Sequence, residues 1–163
     1  MKFADLFRRF KGKKMNKAEL AVLRVSMLVA ALDGDVCKEE LEEFQKLAKE
    51  CEGYSEAEVK KAFSDTLRAA GYLMLLARVA EQSSILDAFI VEAETILPAI
   101  ADFGPVGIND AVEVWTGMAK ADGDFSEIER LAIESLEKLL IIKNQAQTQS
   151  VGSGIITRHG FSM

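Results

Sequence analysis

The stretch Leu28-Val-Ala-Ala-Leu-Asp-Gly-Asp-Val36 joins the end of an apolar run to an acidic turn, and the fold prediction starts from it. Apolar residues recur at helical spacing from Lys17 to Leu32, which predicts a mostly buried helix. Gly34 stands between two aspartates, and glycine lets a chain reverse sharply at little steric cost. The stretch therefore predicts a buried helix that ends in an Asp-Gly-Asp turn.

The same pattern returns 89 residues further along the chain, again after a buried helix and before an amphipathic one. At this offset Val36 corresponds to Phe125, and both residues are apolar. This spacing predicts an internal duplication, in which two helix–acidic turn–helix units frame a central pair of helices. The identical pairs are Ala30 and Ala119, Asp33 and Asp122, Gly34 and Gly123, Asp35 and Asp124, Glu40 and Glu129, Leu47 and Leu136, and Lys49 and Lys138.

Helical periodicity continues through the rest of the chain, so we predict an all-α fold: a compact bundle of about seven helices with two pseudo-symmetric units. We expect a basic amphipathic helix at 1–14, a helical domain at 15–143 and a flexible tail at 144–163, since the tail has little to bury. After the first turn we expect helices from Lys38 to Cys51, from Val59 to Gln82, from Ile85 to Asp102, from Ile108 to Ala121 and from Glu127 to Ile142. The capping box Ser55-x-x-Glu58 precedes the second of these, and Pro98 should kink or end the third. We expect a break at Ser83-Ser84 and a loop at Gly104-Pro105-x-Gly107.

Composition excludes several classes of protein. The net charge is -6, and residues 1–17 hold seven basic residues against Asp5 alone, so the remainder carries -12. An acidic body repels phosphates, which argues against nucleic acid and suits cations or a basic partner. We find no membrane span and no secretory signal, and Cys37 and Cys51 form no C-x-x-C motif. We therefore expect reduced thiols and a cytoplasmic protein, with the inner membrane face as a peripheral alternative.

The N-terminal segment has two interpretations. Phe3, Leu6, Phe7 and Phe10 recur at helical spacing between basic residues. A basic amphipathic helix can lie on an anionic membrane surface. Alternatively, it is a terminal helix whose aromatic side chains pack onto the domain.

The acidic turns also have two interpretations. In each copy two aspartates flank a glycine, and a glutamate follows one turn into the next helix, where it can reach back. Three converging carboxylates suit a hard cation such as calcium or magnesium. The eight residues from Asp33 to Glu40 are too few for an EF-hand, whose loop has about twelve. Helix capping is the other interpretation: Ser126-x-x-Glu129 is a capping box, and the helix macrodipole also favours aspartates near a helix N-terminus. Capping explains the glutamates, and it explains less well why both aspartates recur in both copies.

Enzymatic chemistry has little support in the sequence. The only histidine, His159, lies in the tail, and we find no phosphate-binding loop and no zinc-ligand spacing. Tellurite reduction by Cys37 or Cys51 is a further alternative, although Cys51 falls on an apolar face, where inert cysteines are found. We expect a protein that is not an enzyme.

The two turn segments, Leu28 to Val36 and Met118-Ala-Lys-Ala-Asp-Gly-Asp-Phe-Ser-Glu-Ile-Glu-Arg130, resemble the two hallmark stretches of the tellurite-resistance TerB family. The resemblance covers about Met15 to Ile142, and Cys37 and Lys38 depart from a fully polar turn. It implies a helical fold with pseudo-twofold halves, an acidic surface for metal ions, and a role in tellurite resistance or a related stress response. By position, the implied metal ligands are Asp33, Asp35, Glu40, Asp122, Asp124 and Glu129.

Two functional hypotheses follow. The first is a TerB-like stress-response protein that binds or senses a divalent cation (calcium, magnesium or zinc) and works with other stress-response proteins. The second is a protein-interaction module whose acidic face docks a basic partner, with the N-terminal helix contacting a partner or a membrane surface.

Overall fold

The computed structural model describes residues 17–34, 36, 38–49, 55–102, 104–121 and 125–158, with only the backbone given for some residues inside helices. These ranges contain seven helices and no strand, which confirms the predicted all-α class. The predicted N-terminal helix at 1–14 and the last five residues lie outside them. The helices are α1 (Lys17–Ala31), α2 (Lys38–Lys49), α3 (Glu56–Val79), α4 (Gln82–Glu94), α5 (Leu97–Ala101), α6 (Gly104–Ala121) and α7 (Glu127–Arg158).

Helix α1 is the centre of the bundle. All six other helices pack against it, and twelve of its fifteen residues are buried. Leu23, Val25, Met27 and Leu28 are fully inaccessible to solvent. A helix that is apolar on nearly all sides can be stable in water only when other helices surround it. The apolar run that precedes the first acidic turn therefore organises the whole fold.

Helices α1 and α3 run parallel to each other. The Arg24 Nε donates a hydrogen bond of 2.9 Å to Thr66 Oγ1, and a Cβ at Gly34 would lie 3.7 Å from Ala77 Cβ. The paired residues are 42 and 43 positions apart in the sequence. Because this separation is nearly the same at both contacts, the two helices run in the same direction. The connection through α2 brings the chain back to the end of the bundle where α1 begins.

Helices α1 and α6 are also parallel. Trp115 Nε1 donates to the Val22 carbonyl oxygen at 3.1 Å, and Ser126 Oγ donates to Asp33 Oδ1 at 3.1 Å. Each of these contacts joins residues 93 positions apart, one pair in the middle of the helices and one just beyond their ends. The two helices therefore end at the same side of the bundle, which is the side of both acidic turns.

Several predicted boundaries were wrong. The break after α3 lies at Ala80 and Glu81, and Ser83 and Ser84 belong to the first turn of α4. The predicted loop at Gly104 is the first turn of α6, where proline is tolerated because the first amide groups have no helical acceptor. The last helix continues beyond Ile142 to Arg158.

Pro98 does interrupt the predicted helix from Ile85 to Asp102, as expected. Helix α4 ends at Glu94, and Pro98 is the second residue of the short helix α5. The capping box at Ser55 is confirmed, with Glu58 N donating to Ser55 Oγ at 3.1 Å and Ser55 N donating to Glu58 Oε1 at 3.0 Å. The pseudo-symmetry of the two halves stays a prediction, because most residues of both turns lie outside the described ranges.

Candidate functional site: the contact between the two acidic turns

The first acidic turn follows directly from the end of α1. Gly34 N donates to the Ala31 carbonyl oxygen at 2.9 Å, and Gly34 has a φ of 72°, in the left-handed region that glycine adopts readily. Asp33 precedes this glycine and is exposed. The turn thus places the Asp33 carboxylate at the surface, on the side of the bundle where α6 ends and α7 begins.

The second turn leads into the capping box of α7, as the sequence predicts. Ser126 N donates to Glu129 Oε1 at 3.0 Å, and Glu129 N donates to Ser126 Oγ at 3.3 Å. Unlike Glu58 in the matching box of α3, Glu129 is only 4% exposed. The same local motif therefore holds one glutamate in solvent and the other inside the protein.

Ser126 joins the two turns. Its Oγ lies 3.1 Å from Asp33 Oδ1 and 3.0 Å from Glu129 Oε1. A hydroxyl group has one proton, so it can donate to only one of these oxygens at a time. Asp33 Oδ1, Ser126 Oγ and Glu129 Oε1 thus form a chain of three oxygen atoms, in which the Ser126 hydroxyl supplies one proton. The two carboxylates face each other across this hydroxyl group.

The surroundings of Glu129 raise the pKa of its carboxyl group. Burial raises the pKa of the Glu129 carboxyl group, because it disfavours the charged form. The neighbouring Asp33 carboxylate raises that pKa further, while the hydrogen bonds from Ser126 oppose the shift. By contrast, the hydrogen bonds from Ser55 lower the pKa of the exposed Glu58.

The six candidate ligands are described to different extents. Asp33 and Glu129 are brought together. Asp35, Asp122 and Asp124 lie outside the residues that the structure describes, and for Glu40 it gives only the backbone of α2. Among the described side chains no group of three or more histidine, cysteine, aspartate or glutamate residues could hold a metal ion.

Sequence reasoning identified Ser126 and Glu129 as a capping box but did not identify the contact of Ser126 with Asp33. The predicted duplication implies that the two turns are equivalent, yet it does not predict a contact between them. That information comes from the parallel packing of α1 and α6, through buried contacts such as the one between Trp115 and Val22.

The comparisons identify the family. The model of the family described as "Tellurite resistance protein TerB" matches residues 19–150, which is most of the chain. The chain therefore belongs to the TerB family, as the two Asp-Gly-Asp segments predicted. No curated protein and no solved structure matches it significantly. Within the described residues, no helix is long and apolar enough to cross a membrane.

Proposed function

We propose that this TerB-family protein binds a divalent cation where its two acidic turns meet, and that it serves tellurite resistance or a related stress response without being an enzyme. The supporting observation is the chain of three oxygen atoms from Asp33 through Ser126 to Glu129, with spacings of 3.1 and 3.0 Å. Two carboxylates at this separation repel each other unless a positive charge or an additional proton lies between them.

A bound cation would relieve this repulsion. Capping accounts for the contact of Glu129 with Ser126, but it does not require Asp33, which belongs to another part of the chain. An aspartate held against a buried glutamate costs free energy in the absence of a counter-charge. The arrangement is therefore better suited to a cation site than to a capping box alone.

The chemistry of the donors favours calcium or magnesium. Carboxylate and hydroxyl oxygens are the ligands that these ions prefer, whereas zinc usually takes nitrogen or sulfur. Calcium takes about six to eight oxygen ligands, so Asp33 and Glu129 would need further donors. Asp35, Asp122 and Asp124 are adjacent in sequence to this contact and are the proposed source of those donors.

Thermal unfolding tests the proposal. A ligand that binds only the native state at about 100 times its Kd adds roughly 2.7 kcal/mol of stability. For a chain of this size that raises Tm by about 5 to 11 °C. We expect such a rise when calcium or magnesium is added to protein first treated with a chelator.

The variants locate the site. Asp33→Asn with Glu129→Gln should abolish the rise in Tm, and Asp122→Asn with Asp124→Asn should reduce it. The matched control is Asp87→Asn with Glu94→Gln, which removes the same charge from exposed positions of α4 and should leave the rise unchanged. An unchanged rise in the Asp33 and Glu129 double variant would place the cation elsewhere, and no rise in the native protein would refute the proposal.

A further inference from the structure

Helices α3 and α4 share an outer face. Only Ala80 and Glu81 join them, Arg68 Nη2 lies 3.7 Å from Glu92 Oε1, and α1 packs against the inner side of both helices. Arg68 and Glu92 each lie twelve positions from Ala80, so α4 runs back along α3. Residues equally far from Ala80 therefore lie at the same level along the two helices, and the exposed side chains of both form one surface.

The α3 half of this face is apolar and basic. Tyr72, Leu75 and Val79 are 48%, 59% and 77% exposed, and their spacing of three and four residues puts them on one side of the helix. Arg68, four residues before Tyr72, is exposed and extends the same stripe, and the exposed Arg78 adjoins its other end. The stripe thus has apolar residues in its middle and a positive charge at each end.

The α4 half of the face is acidic. Ser84, Asp87, Val91 and Glu94 are all exposed, and they also recur at a spacing of three and four residues. Val91 lies between the two acidic residues, so this stripe has an apolar contact of its own. The shared face therefore carries positive charge on one helix and negative charge on the other, which makes it complementary to itself.

We propose that two copies of the chain pair through this face, with α3 of each copy packed on α4 of the other. A twofold axis parallel to the helices gives this arrangement. Rotation about such an axis leaves the level of every residue unchanged, so the register between the copies is the same as the register within one copy. Arg68 then meets Glu94 of the second copy, and Val91 of the second copy lies between Arg68 and Tyr72.

Charge favours this arrangement over the other twofold pairing. An axis perpendicular to the helices would place α3 on α3. Centred between Tyr72 and Leu75, it would bring Arg68 close to Arg78 of the second copy and Asp87 close to Asp87 of the second copy. Like charges repel at such distances, whereas the parallel axis sets each stripe against a stripe of opposite charge.

The small size of the face predicts a weak dimer. Helix α4 has thirteen residues, or about 20 Å, and two helices side by side are about 20 Å wide. The projected area of roughly 400 Å² is about half of the 800 Å² or so that each partner buries in a typical stable complex. We therefore expect monomers in dilute solution and dimers at high concentration of the chain.

Sedimentation equilibrium measures this association, and a chelator makes the result independent of the proposed cation site. We expect a monomer at about 10 μM chain and a substantial fraction of dimer at about 500 μM. Arg68→Glu should raise the dissociation constant about tenfold or more, because it sets two acidic stripes against each other. Adding Glu94→Arg should restore most of the affinity.

The matched control is Arg130→Glu on α7. Arg130 is exposed and belongs to an ion pair with Glu134 at 2.9 Å, so the variant makes the same change of charge away from the face and should leave the dissociation constant unchanged. Circular dichroism verifies that each variant folds. A native chain that stays monomeric at about 500 μM would overturn the proposal, and so would a dimer that Arg68→Glu does not weaken.

Disulfide formation shows which helices face each other. Ser84 and Leu75 lie four and five positions from Ala80, so they meet across the parallel axis. In a background with Cys37→Ser and Cys51→Ser, a mixture of the Leu75→Cys and Ser84→Cys variants should form the mixed disulfide dimer about ten times faster than Leu75→Cys links to itself. Self-linking of Leu75→Cys at an equal or higher rate would mean that α3 faces α3, which contradicts the proposed arrangement.

Discussion

Replacing Glu129 by glutamine is expected to stabilise the protein at neutral pH in the presence of a chelator, although the residue is buried and belongs to a capping box. Glutamine keeps the oxygen that accepts the hydrogen bonds from Ser126 N and Ser126 Oγ, and its side chain carries no charge. The substitution thus removes one of two facing carboxylate charges and leaves the hydrogen bonds of the capping box in place.

The magnitude follows from the geometry. The contacts of Ser126 place Asp33 Oδ1 and Glu129 Oε1 no more than about 6 Å apart. Coulomb repulsion between two unit charges at this distance is about 0.7 kcal/mol in water and about 3 kcal/mol at an effective dielectric constant of 20. Since Asp33 is exposed and Glu129 is buried, we expect a gain of about 1 to 2 kcal/mol, or roughly 2 to 8 °C in Tm.

The contribution of Glu129 to the stability of the fold depends on pH, and the direction of this dependence follows from the shift in its pKa. Because the pKa of Glu129 is raised in the folded state, the folded protein holds this proton more tightly than the unfolded chain does. The stability contributed by protonated Glu129 is therefore complete below the pKa of glutamate in the unfolded chain, about 4.3. This contribution is lost as the pH rises through the pKa of Glu129 in the folded protein. The advantage of Glu129→Gln should grow over this range and then level off.

Glu58→Gln is the matched control, since it makes the same change in the same motif at an exposed position. The pKa of Glu58 is lowered, so its charged form contributes stability above the unfolded pKa, and this contribution is lost as the pH falls through the folded pKa. The control should be neutral or slightly destabilising at pH 7. Urea unfolding of both variants between pH 4 and 8 measures the two effects. A Glu129→Gln variant less stable than native at pH 7 would refute the reasoning.

Three further predictions concern the bundle itself. Gly34→Ala should cost about 1 to 2 kcal/mol, because the φ of 72° is strained for alanine although there is room for its Cβ; recovery of part of this loss in Gly34→Asn would support the backbone explanation. Leu23→Ala in the centre of α1 should cost about 2 to 5 kcal/mol in urea unfolding, whereas Val91→Ala, 68% exposed on α4, should change stability by less than about 0.5 kcal/mol. Trp115→Phe should cost about 1 to 3 kcal/mol, because phenylalanine cannot donate the hydrogen bond to Val22 and is smaller than tryptophan. A cost near zero would show that this contact does not hold α6 against α1.

Local sequence signals predicted the elements that depend on neighbouring residues. The apolar run before Asp33 predicted a buried α1, and the two capping boxes predicted the starts of α3 and α7, because capping involves residues three positions apart. The boundaries at Ser83 and Gly104 were predicted wrongly. Serine and glycine weakly disfavour helix interiors, but they are tolerated in a first turn when the helix is stabilised by packing, as α4 and α6 are through Phe89 and Trp115.

The sequence by itself determined the helical class and the TerB family, and it predicted two equivalent acidic turns, since all three depend on periodicity and on short motifs. Only the tertiary structure decided that Asp33 meets Ser126 and Glu129, and that Glu129 is buried while Glu58 is exposed. The reason is that both facts depend on the relative direction of α1 and α6. That direction is set by side chains packing between helices about 90 residues apart, and no local pattern encodes it.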